Sequence, residues 1–170
     1  MNKFFVFVGQ VFYKLFLMFL GVAVFFGFMY FSDSHISPIE FVSNSMELSI
    51  YKSMAVSHLN DNITIEVSSL CREIPMDKQV ECVVTQVSNF YNYSMHNISV
   101  RSPDDYVKYG GVCRDSSVLY DSIFRRLGWF VHYDFTVPNH VFLDITKYSG
   151  NNTIKCVVDS LTYNCQNYNG

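Results

Sequence analysis

The chain has 170 residues, room for one ordinary domain and too few for two. Its formal net charge is −3 and it holds no basic run, which excludes nucleic acid or an anionic membrane surface as a charge-held partner. Hydrophobic residues make up 49% of it, and the excess is concentrated near the N-terminus.

That excess is the first predicted element. Phe4–Phe31 is interrupted only by Gln10 and Lys14, and Leu15–Phe31 carries no charge. A helix over this run and its flanks is long enough for a hydrocarbon core of about 30 Å. Lys3 and Lys14 lie on its N-terminal side, while Asp33 and Glu40 follow it. The positive-inside rule then predicts a single-pass membrane anchor, with the N-terminus cytoplasmic and the C-terminal domain outside. The alternative is a cleaved signal peptide ending near Ser32 and Ser34, although the run exceeds the usual apolar stretch of about 7–15 residues. The expected organisation is 1–31, cytoplasmic stub and transmembrane anchor; 32–70, spacer and peripheral segment; and 71–170, the core domain.

Ser32–Asn60 reads as a spacer followed by a helix, with Ser43, Asn44 or Ser45 as cap and a thin stripe of Met46, Ile50, Met54 and Leu59. Asn62–Leu70 alternates apolar and polar residues, which fits either a short strand or an extended linker. Asp77–Tyr93 has Val80, Val83, Val84, Val87, Phe90 and Tyr91 at helical spacing. In Ser99–Tyr109, Ser102 and Pro103 predict the start of a short helix. Gly110–Gly111–Val112–Cys113 leads into a helix through Leu127, with Val118, Leu119, Ile123 and Phe124 on its buried stripe and Gly128 to end it. Thereafter the period is two, and Trp129–Val137, Val141–Ile145 and Thr153–Leu161 are predicted strands. Helices first and antiparallel strands after is an α+β pattern.

The five cysteines are Cys71, Cys82, Cys113, Cys156 and Cys165. Outside the cell an odd count leaves one thiol over. Four cysteines allow three connectivities, of which Cys71–Cys82 with Cys156–Cys165 is the sequence-local one. Cys113 is the natural leftover. It follows two glycines, which leave a thiol uncrowded, and opens a helix whose N-terminal N–H groups favour a thiolate and an oxyanion.

His140 is its candidate base. If the last hairpin closes between Ser149 and Gly150, His140 and Asp159 stand directly opposite, with Cβ atoms about 5 Å apart. Asp144 lies roughly 13 Å along the same strand, out of reach, and Asp134 reaches His140 only through a tight bend at Pro138. A slip of two residues in the turn would instead put Leu161 or Tyr163 opposite His140. His132 reads as a packing or surface residue, and His35, His58 and His96 fall in peripheral segments. With no C-x-x-C or H-x-x-x-H spacing, no metal site is predicted.

Cys113 in GGVCRDSSVLYDSIFRRLGW, His140 in NHVFLDI and Asp159 in CVVDSL together resemble the transglutaminase-like superfamily, whose core is related to papain-type cysteine proteases. The likeness covers roughly Asp77–Tyr163. The chain departs from the family's common H-A-W, having His140–Val141–Phe142, and lacks a tryptophan before the aspartate. The resemblance implies a transglutaminase-like or papain-like domain after the membrane helix, and a Cys113–His140–Asp159 triad performing acyl transfer on protein or peptide amides. It requires no metal or organic cofactor. Transfer to water makes a cysteine peptidase or amidase, the preferred expectation; transfer to an amine makes a crosslinking transglutaminase. A noncatalytic binding module and a dimer disulfide-linked through Cys113 are the other expectations.

Overall fold

The computed structural model describes residues 16–22, 38–97, 100–137 and 140–169. The chain divides into two units, Met1–Met46 and Glu47–Gly170. Besides a helical stretch at 16–22, the described helices are α1 (Pro38–Ser57), α2 (Asn62–Arg72), α3 (Met76–Ser88), α4 (Pro103–Tyr109) and α5 (Cys113–Arg126). Four strands follow: β1 (Phe130–Asp134), β2 (Phe142–Ser149), β3 (Asn152–Asp159) and β4 (Thr162–Asn169). They form an antiparallel sheet in the order β1-β2-β3-β4. The second unit is therefore a small α+β fold.

The position of α5 organises the core. Asp115–Phe124 are ten consecutive buried residues, so this helix is enclosed on every side, packed by α2, α4, β1 and β2. Val118, Leu119, Ile123 and Phe124 share one buried cluster with the inward side chains Tyr133, Leu143, Ile145 and Val158. Gly128, at φ 78°, ends the helix in the left-handed conformation that glycine tolerates. The Trp129 indole then donates to Gln79 Oε1 at 3.1 Å, tying the start of the sheet to α3. Lys147 also points inward, giving Nζ to Gln79 Oε1 and to the Leu127 carbonyl at 2.8 and 2.7 Å. Desolvation, and then Arg72, push its ammonium below the usual lysine range.

Both sequence-local disulfides are formed. Cys71–Cys82 ties α2 to α3, and Cys156–Cys165 joins register partners on β3 and β4. Each closes a short loop, a type of crosslink that stabilises a small domain by about 2–4 kcal/mol.

Four segments differ from expectation. Asn62–Leu70 lies in helix α2, with Ile63, Thr64, Val67, Ser68 and Cys71 buried at spacings of three and four. The segment 32–70 is thus more than a spacer, since Tyr51, Ala55, Ile63 and Val67 belong to the core. The β2–β3 hairpin pairs Ser149 with Asn152, leaving Gly150–Asn151 as its loop, one residue later than expected. Gly150 has φ 58°, the positive value a two-residue hairpin requires there. β4 lies beyond the last predicted strand and has no counterpart among the expected elements.

The expected transmembrane helix needs correction. Among the described residues, no helix is long and apolar enough to cross a membrane. Residues 16–22 of the apolar run are helical. The remainder of that run lies outside the described residues. Helix α1 has 20 residues but includes Glu40, Glu47 and Lys52. The single-pass localisation, with a cytoplasmic N-terminus and the domain outside, is corrected with it. What the disulfides do fit is an oxidising compartment.

Candidate active site

Cys113 is the first residue of α5, half-buried, and the free cysteine of the chain. The glycines before it answer two separate constraints. Gly110 sits at φ 73°, where side chains are strained. Gly111 has no such φ, but a Cβ there would meet both Asp115 Oδ2 and Tyr106 Cδ2 at 2.7 Å. Asp115 then serves the helix start, its Oδ2 accepting the Val112 N–H at 2.8 Å as half of a capping box.

His140 lies just before β2 and Asp159 closes β3. Their side chains meet: His140 Nε2 and Asp159 Oδ1 are 2.8 Å apart. The carboxylate occupies Nε2, which leaves Nδ1 as the ring nitrogen open to take a proton. The Phe142 ring meets the imidazole edge-on at 4.6 Å and restricts its rotation. The pair remains open to water, with side chains 31% and 33% exposed.

Two hydrogen bonds link the helix of Cys113 to the ends of these strands. Ser117 Oγ donates to the Val141 carbonyl at 3.5 Å, next to His140. The Tyr120 hydroxyl donates to the Ser160 carbonyl, next to Asp159. Cys113, Ser117 and Tyr120 are spaced i, i+4, i+7 and so share one face of α5. Burial holds the Tyr120 phenol above its ordinary range, so it remains a donor. Ser160 has φ 43°, a strained value for a residue other than glycine. The structure thus brings His140 and Asp159 into contact and places Cys113 on the helix face bonded to their neighbours. Among the described residues the thiol makes no hydrogen bond to His140.

The competing carboxylates are engaged elsewhere. Asp134 Oδ1 accepts the Thr136 N–H at 2.8 Å, and Asp144 stands opposite His132 on the outer sheet face. Desolvation, and then Asp134, raise the Asp144 carboxyl. A cavity of about 490 Å³ on that outer face is lined by Phe130, His132, Asp144, Lys155, Gln166 and Tyr168, among others, and by none of Cys113, His140 and Asp159.

No family model, curated protein or solved structure matches the chain.

One residue placed at the periphery by sequence proves central. His96 is 7% exposed and its Nε2 lies 2.7 Å from Asp115 Oδ2, two residues after the candidate nucleophile. Nothing in the spacing of His96 and Asp115, 19 residues apart, signals that contact. A thiol at a helix N-terminus, and an imidazole in contact with a carboxylate, are the residue types that nucleophilic catalysis uses.

Proposed function

We propose that this chain is a thiol acyl-transfer enzyme, with Cys113 as nucleophile, His140 as general base and Asp159 as the group that orients the imidazole. The observation that carries the reading is the 2.8 Å contact between His140 and Asp159, on strand ends hydrogen-bonded to the helix that Cys113 begins. The order and context of the three residues resemble the transglutaminase-like superfamily, which supports the same chemistry.

The Cys113 proton passes to His140 Nδ1, and the thiolate attacks an amide or ester carbonyl. The backbone N–H groups opening α5 stabilise the oxyanion. Collapse expels the amine or alcohol, which takes the proton back from His140 and leaves a thioester on Cys113. Asp159 stabilises the imidazolium while the proton resides there. Water, activated by the same imidazole, then releases the acid and the free thiol. Hydrolysis is preferred over transfer to an amine because the His140–Asp159 pair is about a third exposed, which admits water to the base. The substrate class is a protein or peptide amide.

Incubation with a p-nitrophenyl acyl ester, followed by mass measurement, tests this reading. The expected product is one acyl group on Cys113, removable by hydroxylamine, absent from Cys113→Ala and formed at least about a hundredfold more slowly by His140→Ala. Acylation elsewhere, or acylation of Cys113 indifferent to His140, contradicts it.

A further inference from the structure

We propose that Arg101 is a positioning residue for Cys113, acting by locking the peptide planes that lead to it; this rests on the thiol-enzyme reading above. Tyr109–Val112 is the approach to the nucleophile, and its two central residues are glycines. Glycine gives a backbone many accessible conformations, so this approach has little intrinsic stiffness. Stiffness has to come from hydrogen bonds at both ends of each peptide group.

Three successive peptide groups have them. The Tyr109 carbonyl accepts from Arg101 Nη1 at 2.9 Å, and the N–H of the same peptide, on Gly110, donates to the Tyr106 carbonyl at 2.8 Å. The Gly110 carbonyl also accepts from Arg101 Nη1, and the Gly111 N–H donates to the Asn92 carbonyl at 2.9 Å. The Gly111 carbonyl accepts the Ser94 N–H at 3.0 Å, and the Val112 N–H donates to Asp115 Oδ2 at 2.8 Å. A flip of any of these planes breaks two hydrogen bonds at once.

Arg101 holds the first two planes by its side chain. Its backbone N–H donates to Asp115 Oδ1 at 2.7 Å, and Asp115 is the carboxylate that secures the third plane. The ring of contacts is therefore closed: guanidinium to the Gly110 carbonyl, along the chain to Val112, through Asp115 and back to the Arg101 backbone. His96 Nε2 contacts the Oδ2 of the same carboxylate at 2.7 Å. Two N–H groups of one nitrogen meet two consecutive carbonyls, a match that suits a planar guanidinium better than an ammonium. The consequence is chemical as well as mechanical. A flipped Gly110–Gly111 peptide would lose the hydrogen bonds that now occupy its carbonyl and N–H, and the Cys113 thiol would no longer be presented from one fixed backbone.

The test compares wild type, Arg101→Lys, Arg101→Gln and Arg101→Ala, all well below their melting midpoints. Two quantities are read on each: the rate of Cys113 alkylation by iodoacetamide and the thermal midpoint. The expected result is a roughly tenfold or greater slowing in Arg101→Ala and Arg101→Gln, with partial recovery in Arg101→Lys and folding retained. A purely structural role would move the midpoint and leave the rate of the folded protein unchanged. Should Arg101→Ala fail to fold, Arg101→Gln decides. Fast wild-type alkylation that persists in the folded glutamine or alanine variant overturns the positioning role and leaves the thiol-enzyme reading standing. Wild-type alkylation no faster than that of a free thiol overturns both.

Discussion

His140 Nε2 and Asp159 Oδ1 are 2.8 Å apart although the β2–β3 ladder does not set the two residues opposite one another. The ladder pairs Leu143 with Val158, and one step further along it Phe142 faces Asp159. The contact is therefore diagonal, from the residue two before Phe142, and it is made by the reach of an imidazole. Register in this hairpin is fixed by the Gly150–Asn151 loop, 10 residues after His140 and 8 before Asp159.

Substitutions at two glycines separate turn strain from steric conflict. Gly150→Ala meets open space but must adopt φ 58°, and is expected to cost about 1 kcal/mol. Gly110→Ala adds a clash with the Asn92 backbone to a φ of 73° and is expected to cost at least about 2 kcal/mol. Urea unfolding of both variants checks the order; equal losses would contradict the packing described around Gly110.

The sulfur inventory is equally direct. Titration of the native protein with a disulfide reagent should find one thiol per chain, at Cys113, and five after reduction and unfolding. Replacing Cys71 and Cys82 together by serine should lower unfolding free energy by about 2–4 kcal/mol and leave Cys113 unpaired. A second free thiol in the native chain would contradict the assigned pairing.

Asp121 supplies a pH signature of the core. It is fully buried on α5, with Arg125 Nε 2.5 Å from Oδ1 and the Tyr133 hydroxyl donating to Oδ2 at 2.8 Å. Burial raises its carboxyl above the ordinary value of 3.8, against the opposing pull of Arg125 and Tyr133. A folded pKa above the unfolded one means the folded state binds the proton more tightly. The stability it contributes is then fully present below 3.8 and is lost as pH rises through the raised value. Urea midpoints measured across that window should fall with rising pH more steeply in wild type than in Asp121→Asn. Identical slopes would remove Asp121 from this role.

Where side chains repeat at the period of their element, the sequence was legible. The stripe of Val80, Val83, Val84 and Val87 predicts α3, and Val118, Leu119, Ile123 and Phe124 predict α5. Local spacing also favoured the two disulfides. Helix α2 was obscured because β-branched residues in NITIEV alternate like a strand while also fitting a helical stripe. β4 has no apolar alternation to mark it, because Thr162, Asn164 and Gln166 on one of its faces are polar. The turn was misplaced by one residue because Ser149, Gly150, Asn151 and Asn152 all tolerate turns. The apolar run near the N-terminus suggested a membrane span by composition alone, whereas no described helix has the length and apolarity to make one. Arg101 and His96 could not be read at all: both act on Asp115 or on backbone carbonyls across loops that no periodicity marks.

The central claim is that His140 and Asp159 activate Cys113, and alkylation kinetics address it most directly. Purified protein is treated with iodoacetamide near pH 6, the modified cysteine is mapped, and the rate is compared with that of a free thiol. Rapid modification of Cys113 in wild type is predicted, slowed in Asp159→Asn and reduced to the free-thiol rate in His140→Ala. A wild-type rate equal to that of a free thiol, or one unchanged by both substitutions, would contradict the account.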